Sequence, residues 1–243
     1  MVIRENKMLK HLWQLILQAR CPLCQRPARQ TFCLDCQRQL QQCQTQSAPL
    51  IPETPDDLNI LAWGHYGGEL KRAIAALKYE DQRAIAQPLG QWIAQTWLQH
   101  PHHPQRVGVV PIPLHQNRLQ QRGYNQAELL AEHFCRVTGL PLYAQGLKRH
   151  RNTQPQFGLS LSQRQQNLAH AFVLGSDRQR LPRHIPILLM DDIYTTGETA
   201  RAAQQTLIQA GFKVWGVLTL ARTYRLTETP ATGTSSPNQH PAN

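Results

Sequence analysis

Apolar positions along the chain follow two patterns, short continuous runs and the i, i+3, i+4 spacing of a helix. The continuous runs are rich in Val, Ile and Leu, and the three main ones lie at 107–110, 185–190 and 214–221, with a shorter one at 171–174. Such runs, bounded by Pro or charged residues, are typical of buried strands. Helical spacing occurs at 69–77, 84–98, 125–137 and 198–210. Strands that alternate with helices predict an α/β domain with a parallel sheet flanked by helices.

Composition divides the chain into parts. The predicted parts are a helix and cysteine module at 1–45, a linker at 46–59, the α/β domain at 60–225 and a disordered tail at 226–243. The linker lies within a stretch from Gln37 to Asn59 that is rich in Gln, Pro, Ser and Thr and has no sustained periodicity, as expected of a linker. The tail has almost no apolar residues, which is typical of disorder.

The N-terminal segment predicts an amphipathic helix over residues 8–19. Its apolar stripe consists of Leu9, Leu12, Trp13, Ile16 and Leu17. We expect the stripe to pack on protein, with docking on a membrane surface as the alternative. The apolar stretch from Leu12 to Leu17 is far shorter than the ~20 residues that a bilayer span needs. We therefore expect no stable membrane insertion and a cytoplasmic protein.

Five of the six cysteines fall between Cys21 and Cys43. Four of them form two C-x2-C pairs, Cys21 with Cys24 and Cys33 with Cys36. Four thiolates make a closed tetrahedral site, so the spacing predicts a structural zinc ion that folds a segment too short for its own core. Redox-active cysteine pairs are the alternative, but neither pair lies in a thioredoxin-like strand and helix pattern. Cys43 stands outside the pairs.

The segment 187–199 carries the clearest chemistry. A predicted strand ends in Asp191 and Asp192, and a small polar loop leads into a helix through Thr195, Thr196, Gly197, Glu198 and Thr199. A helix N-terminus at the carboxyl end of a parallel strand presents unpaired N–H groups to an anion. We expect the loop to hold a phosphate and the two carboxylates to accept hydrogen bonds from ribose hydroxyls. The alternative is a capping box between Thr195 and Glu198 that carries no function.

This stretch resembles the signature with which type I phosphoribosyltransferases bind 5-phosphoribosyl 1-diphosphate (PRPP). The resemblance implies a Rossmann-like sheet and Mg²⁺ bound together with PRPP. In purine-salvage members the position of Thr195 is usually an aspartate that acts as a base toward the purine. A threonine lacks that chemistry, so purine salvage loses weight.

Further segments resemble the ComF family, which includes ComFC and GntX-type proteins. They are the four paired cysteines, Leu77-Lys78-Tyr79, Val110-Pro111-Ile112-Pro113, the segment from Arg118 to Gln126, and the segment from Gln156 to Phe172 with Arg164. The resemblance places a diphosphate loop at Pro111, Ile112 and Pro113. It makes Lys78, Arg118 and Arg122 candidates to bind diphosphate, and puts Arg149 and Arg164 in a flap over the site. The alternatives are a simple strand terminator at the prolines and solvated basic loops elsewhere.

The net charge of +11 favours a polyanionic partner. The ComF resemblance implies a role in DNA uptake during competence, with single-stranded DNA and the competence helicase machinery as partners. Two alternatives remain from these residues: a phosphoribosyltransferase of nucleotide metabolism with an unknown acceptor, and a regulator that binds PRPP without catalysis. The aromatic residues are scattered rather than regularly interleaved with basic ones, so they do not predict a stacking platform for DNA.

Overall fold

The computed structural model describes residues 19–45, 58–150 and 171–223. The strands are β1 (Asn59–His65), β2 (Gly108–Pro111), β3 (Leu147–Arg149), β4 (Phe172–Leu174), β5 (Ile187–Tyr194) and β6 (Val214–Arg222). The helices are α1 (Leu34–Gln41), α2 (Gly68–Tyr79), α3 (Ala86–Gln99), α4 (Gln116–Arg122), α5 (Gln126–Thr138) and α6 (Glu198–Gln209). Four strands form a parallel sheet in the order β1-β6-β5-β2, and β3 pairs with β4 in an antiparallel ribbon.

Helices cover both faces of the parallel sheet. Along β5, Leu188 and Met190 belong to the core formed with α2, α3 and α5, whereas Ile187 and Leu189 belong to the core formed with α6. Alternate side chains of a strand point to opposite faces, and both faces of β5 are buried from Ile187 to Met190. A strand buried on both faces reads as a continuous apolar run. The predicted α/β fold with a parallel sheet flanked by helices is confirmed.

The cysteine-rich segment is joined to the edge of this sheet by backbone hydrogen bonds. The His65 N–H donates to the Cys43 carbonyl at 2.8 Å and the Thr45 N–H donates to the Trp63 carbonyl at 3.1 Å. Gly64 is needed here because a Cβ at this position would lie 2.6 Å from the Cys43 carbonyl oxygen. The segment is therefore joined to β1 by one antiparallel bridge, between Gln44 and Gly64.

Side chains strengthen the same junction. The Phe32 ring stacks on Trp92 of α3 with centroids 6.0 Å apart, and Trp92 stacks on Trp63 of β1 at 5.2 Å. The Arg72 side chain of α2 donates to the Leu23 carbonyl. The cysteine module and the α/β domain thus share one apolar core.

The structure contains four elements that the hydrophobic pattern did not predict: α1, β1, β3 and α4. Gln37 to Gln41, the first part of the Gln-rich stretch, are helical in α1 because Cys36 and Leu40 bury one side of that helix. The predicted N-terminal helix at 8–19 lies outside the described residues except for Ala19, and the predicted linker at 46–59 lies outside them except for Leu58 and Asn59. Arg164 and the predicted tail at 226–243 also lie outside them. Among the helices that the structure describes, none is long and apolar enough to cross a membrane.

Candidate functional site

Two adjacent aspartates lie at the carboxyl end of β5, in the middle of the sheet. Asp191 is half-buried and Asp192 is 6% exposed at its side chain. The backbone N–H of Asp192 donates to Asp191 Oδ1 at 2.8 Å. Because the partner strands β2 and β6 are parallel to β5, their carboxyl ends open at the same edge.

The loop after β5 leads into the N-terminus of α6. Thr195 and Thr196 are exposed, Gly197 is buried and is the N-cap residue, and no side chain caps the helix. The capping box between Thr195 and Glu198 is therefore wrong as an interpretation. The first N–H groups of α6 carry the partial positive charge of the helix dipole, and within the described residues no side-chain cap satisfies them.

Gly197 is required by both conformation and space. Its φ is 77°, in the left-handed region, and a Cβ would lie 2.2 Å from the Tyr194 hydroxyl oxygen. Arg201 fixes the loop from the other side, since its Nη1 donates to the Thr196 carbonyl at 2.8 Å. The loop backbone is thus held close to α6, with Glu198 and Thr199 half-buried in the first turn.

Lys78 brings a positive charge to the aspartates from the last turn of α2. Its Nζ lies 2.5 Å from Asp192 Oδ2, with side chains 17% and 6% exposed. Asp192 Oδ2 forms this ion pair, and it accepts no other hydrogen bond from the described part of the chain. At this low exposure the two charges depend on each other for stability.

Asp191 is in a different electrostatic position from its neighbour. Burial raises the pKa of Asp191 well above its ordinary value, and the adjacent Asp192 carboxylate raises it further. The Asp192 N–H and the Lys78 ammonium act in the opposite direction. An ionised Asp191 is therefore costly in the free protein and would gain from a ligand that donates hydrogen bonds to it.

The turn after β2 lies beside the same edge. Ile112 continues the sheet, because its N–H donates to the Met190 carbonyl at 2.8 Å. The Asn125 side chain donates through Nδ2 to the Ile112 carbonyl at 3.0 Å and accepts from the Ala127 N–H at 3.1 Å, where it caps α5. Asn125 thereby locks the Pro111–Pro113 turn to the start of a helix, a role that the sequence motif did not reveal.

Arg149 lies within electrostatic range of both Asp191 and Arg118. Arg149 of β3 is half-buried, and its guanidinium lies 5.5 Å from the centre of the Phe172 ring. The pKa of Arg149 is lowered by burial and by the positive charge of Arg118 on α4, and is raised by Asp191. Two guanidinium groups and a carboxylate from three elements therefore share one electrostatic environment. Like charges held together in this way favour an anion between them.

A cleft of about 430 Å³ opens next to Lys78, between the end of α2 and α4. Its lining comprises Lys78, Tyr79, Asp81, Arg118, Gln121, Arg122 and Tyr124. Arg122 donates to the Gln126 side chain and lies over the Tyr79 ring. Sequence reasoning picked out the three cations but missed this aromatic and polar wall, because the lining comes from two segments about forty residues apart.

The paired cysteines converge within the N-terminal module. Their four Sγ atoms all lie within 4.8 Å of one another, and Cys24 Sγ and Cys33 Sγ are 3.5 Å apart. In a tetrahedral zinc site with Zn–S bonds of ~2.3 Å, sulfur atoms are separated by ~3.8 Å. The cluster therefore fits a metal ion, and zinc is the ion that a four-thiolate set favours.

A positive side chain lies beside this cluster. Arg26 Nε donates to Cys24 Sγ at 3.4 Å, and this contact is the main reason that the pKa of Cys24 is lowered to about 6. Arg26 also forms an ion pair with Asp35 at 2.6 Å. Arg26 thus favours the thiolate form that a metal ion requires.

Of the predicted site residues that the structure describes, Lys78 contacts Asp192 of the PRPP signature, and Arg149 is in electrostatic range of Asp191 and Arg118. Arg122 lines the cleft together with Lys78 and Arg118. The ribbon of β3 and β4 brackets residues 151–170, where Arg164 falls, and these residues are outside the described ranges.

No protein-family model matches the chain. The chain is 30% identical over 204 residues to Competence protein F of Haemophilus influenzae, which covers 81% of this chain and 89% of that protein. It is 28% identical over 213 residues to DNA utilization protein YhgH of Escherichia coli, which covers 84% and 90% of the two chains. It is 26% identical over 192 residues to Competence protein ComFC of Bacillus subtilis, with 79% and 72% covered.

Among solved structures, an adenine phosphoribosyltransferase from Leishmania donovani aligns with a TM-score of 0.39 and 10% identity over 70% of this chain and 74% of its own. The resemblance drawn from the motifs is confirmed by the sequence relatives, since the match to Competence protein F extends over most of both chains. The chain belongs to the ComF family.

Proposed function

We propose that the carboxyl edge of the sheet binds PRPP together with Mg²⁺. In this arrangement the 5-phosphate occupies the Thr195–Thr199 loop and the ribose hydroxyls bond to Asp191 and Asp192. The diphosphate lies between Arg118, Arg149 and the turn at Pro111–Pro113. The observation that carries the proposal is the pair of adjacent aspartates at the end of β5, with Lys78 at 2.5 Å from Asp192, followed directly by a helix N-terminus whose N-cap residue is Gly197; the electrostatic influence of Asp191 and Arg118 on Arg149 supports it.

Each part of the ligand meets a group suited to it. A phosphate at the start of α6 would accept hydrogen bonds from backbone N–H groups and from the Thr195 and Thr196 hydroxyls, and Gly197 keeps that approach free of a side chain. Hydrogen bonds from ribose hydroxyls to ionised carboxylates are worth about 1.5–3 kcal/mol each. Guanidinium groups bind phosphoryl oxygens in a bidentate manner, which suits Arg118 and Arg149 to a diphosphate.

The residues present also fit Mg²⁺. Mg²⁺ prefers hard oxygen ligands and binds through one or two carboxylates plus substrate phosphates, and Asp191 and Asp192 supply such oxygens beside the arginines. Bound there with the diphosphate, Mg²⁺ would neutralise negative charge on the leaving group. The ion pair with Lys78 holds the Asp192 carboxylate in place in either case.

An active enzyme would transfer the 5-phosphoribosyl group. The bond between ribose C1 and the diphosphate oxygen breaks, a bond from C1 to the acceptor nucleophile forms, and diphosphate leaves. The side chains described here would act by positioning the sugar and stabilising charge. Thr195 offers no base, so the acceptor must arrive with its nucleophile ready or lose its proton elsewhere. Binding of PRPP as a regulatory signal, without transfer, is the alternative outcome.

Thermal unfolding of the metal-loaded protein with Mg²⁺ and PRPP tests the proposal. At a ligand concentration of 100 Kd, binding adds about 2.7 kcal/mol to the free energy of unfolding. We expect this gain in the wild type and its loss in Asp191→Asn. No gain in the wild type would reject PRPP as the ligand.

A second proposal concerns the cellular role: a cytoplasmic protein that handles single-stranded DNA in uptake or utilization. It is supported by the names of the relatives, Competence protein F and DNA utilization protein YhgH, and by the net charge of +11. We expect affinity for an oligonucleotide to fall steeply as salt rises, because bound Lys and Arg release counterions from the phosphates. An affinity that does not change with salt concentration would contradict this role.

A further inference from the structure

The cleft between the end of α2 and α4 has an unusual aromatic wall. Tyr79 is 78% exposed although it directly follows the buried Leu77 and the half-buried Lys78 on α2. Exposing a large ring to water has no benefit for folding. The guanidinium of Arg122 lies 5.5 Å from the centre of the Tyr79 ring, so the ring is positioned by a cation and still presents most of its surface to the solvent.

The rest of the cleft is held firmly. Tyr124 is buried, its hydroxyl donates to the Leu77 carbonyl, and the Arg83 guanidinium lies 4.5 Å from its ring centre. Asp81, the acidic residue in the lining, is paired with Arg83 at 2.7 Å. Ligand-binding clefts are usually largely pre-formed, and here the residues held by these contacts lie beside the exposed ring of Tyr79.

The charge of the cleft is positive. Lys78, Arg118 and Arg122 line it; the charge of Lys78 is offset by Asp192 and that of Asp81 by Arg83, so Arg118 and Arg122 supply the positive charge. Arg118 and Arg122 lie four residues apart on α4, so both side chains extend from one face of that helix. A cleft of this kind attracts an anion and offers a ring on which a planar group stacks.

We propose that this cleft is a second subsite, which takes a 5′-phosphorylated nucleotide with its base on Tyr79 and its phosphate on Arg118 and Arg122. A cleft of about 430 Å³ is within the range of small-ligand pockets. Because the cleft shares Lys78 and Arg118 with the PRPP site, this inference deepens the proposed function and would place a second substrate beside the ribose. The nucleotide would be either a free mononucleotide or the 5′-terminal residue of a single strand.

Calorimetric titration with thymidine 5′-monophosphate, thymidine and inorganic phosphate tests the subsite on the metal-loaded full chain. We expect the monophosphate to bind at least about tenfold more tightly than either fragment, since both the ring and the arginines contribute. Tyr79→Leu should weaken its binding by at least about fivefold, the lower limit for loss of one base stacked on an aromatic ring. Tyr79→Phe keeps the ring and should bind like the wild type. Equal binding by Tyr79→Leu and wild type, or thymidine binding as tightly as the monophosphate, overturns the proposal.

Two further titrations separate this subsite from the PRPP site. PRPP binding should be unchanged in Tyr79→Leu, and binding of the monophosphate should persist in Asp191→Asn. If Asp191→Asn no longer binds the monophosphate, the monophosphate occupies the ribose site and the inference is overturned. If PRPP fails to bind while the monophosphate binds in a Tyr79-dependent manner, the proposed function fails and the subsite stands. Tighter binding of a 5′-phosphorylated oligothymidylate than of its 5′-hydroxyl form and of the mononucleotide assigns the cleft to a strand end.

Discussion

The two adjacent aspartates should respond to the same substitution with opposite changes in stability. Asp192 is 6% exposed and lies 2.5 Å from Lys78, which is 17% exposed. In Asp192→Asn the Lys78 ammonium remains largely shielded from water but loses the negative charge of its ion-pair partner. Breaking a buried ion pair by removing one member costs about 3–5 kcal/mol. Because Lys78 keeps some exposure, we expect a loss near the lower limit, about 3 kcal/mol.

Asp191→Asn should raise the free energy of unfolding at neutral pH. Burial and Asp192 raise the pKa of Asp191 in the folded protein above the ordinary value of 3.8. The folded state then binds more protons than the unfolded state once the pH exceeds about 4, so stability falls as the pH rises through that range. Asparagine carries no charge and does not have this cost. The gain from Asp191→Asn should therefore shrink as the pH is lowered toward 4.

Urea unfolding of both variants at pH 7 and at pH 4.5 measures these effects. Lys78→Met removes the other member of the ion pair. Lys71→Met is its control, because Lys71 is an exposed lysine on the same helix, and we expect the control to change the free energy of unfolding by no more than about 0.5 kcal/mol. The double variant Lys78→Met/Asp192→Asn should recover most of the loss of either single variant. The reasoning is refuted if Asp191→Asn destabilises at pH 7, or if the coupling between Lys78 and Asp192 is below about 1 kcal/mol, the value of an exposed pair.

Other predictions concern the Thr195–Thr199 loop and the cysteine cluster. Gly197→Ala should abolish PRPP binding and should destabilise the protein in urea unfolding well beyond Gly139→Ala. Both glycines have positive φ, but of the two only Gly197 would place a Cβ against another atom, at 2.2 Å. Equal losses, about 1–2 kcal/mol each from the conformation alone, would show that the loop relaxes freely. Removal of metal with a chelator should lower the unfolding temperature, because a structural zinc ion contributes directly to folding. Cys24→Ser should abolish that response while Cys43→Ser, outside the cluster, keeps it; a chelator response in Cys24→Ser equal to that of the wild type would exclude the cluster as the metal site.

The main lines of the fold could be predicted because buried parallel strands are continuous in hydrophobicity. The run that became β5 is apolar at every position from Ile187 to Met190, which no surface element requires. β1 escaped prediction because Asn59, Gly64 and His65 interrupt its pattern. Gly64 is present for the close approach of the Cys43 carbonyl, a tertiary contact that has no signature in local periodicity. α4 escaped because all seven of its residues are at least partly exposed.

The site could be predicted where its residues are contiguous. The Asp191–Thr199 stretch contains a strand end, two carboxylates and a helix start in one segment, so the sequence alone indicates an anion and sugar site. Lys78 and Asp192 are far apart along the chain and pair only in the folded protein. The sequence motifs indicated Lys78 as a candidate but did not indicate that it pairs with Asp192. The cleft at Tyr79 likewise combines distant segments, the end of α2 and α4, and only the folded chain shows that the tyrosine is exposed there.

Isothermal titration of the metal-loaded protein with PRPP in the presence of Mg²⁺ tests the central claim most directly. Ribose 5-phosphate and diphosphate titrated separately report on the two halves of the ligand. The account predicts that PRPP binds more tightly than either half, that Asp191→Asn weakens PRPP and ribose 5-phosphate, and that Arg149→Gln weakens PRPP and diphosphate. Absence of PRPP binding to the wild type, or PRPP binding that both variants leave unchanged, would contradict it.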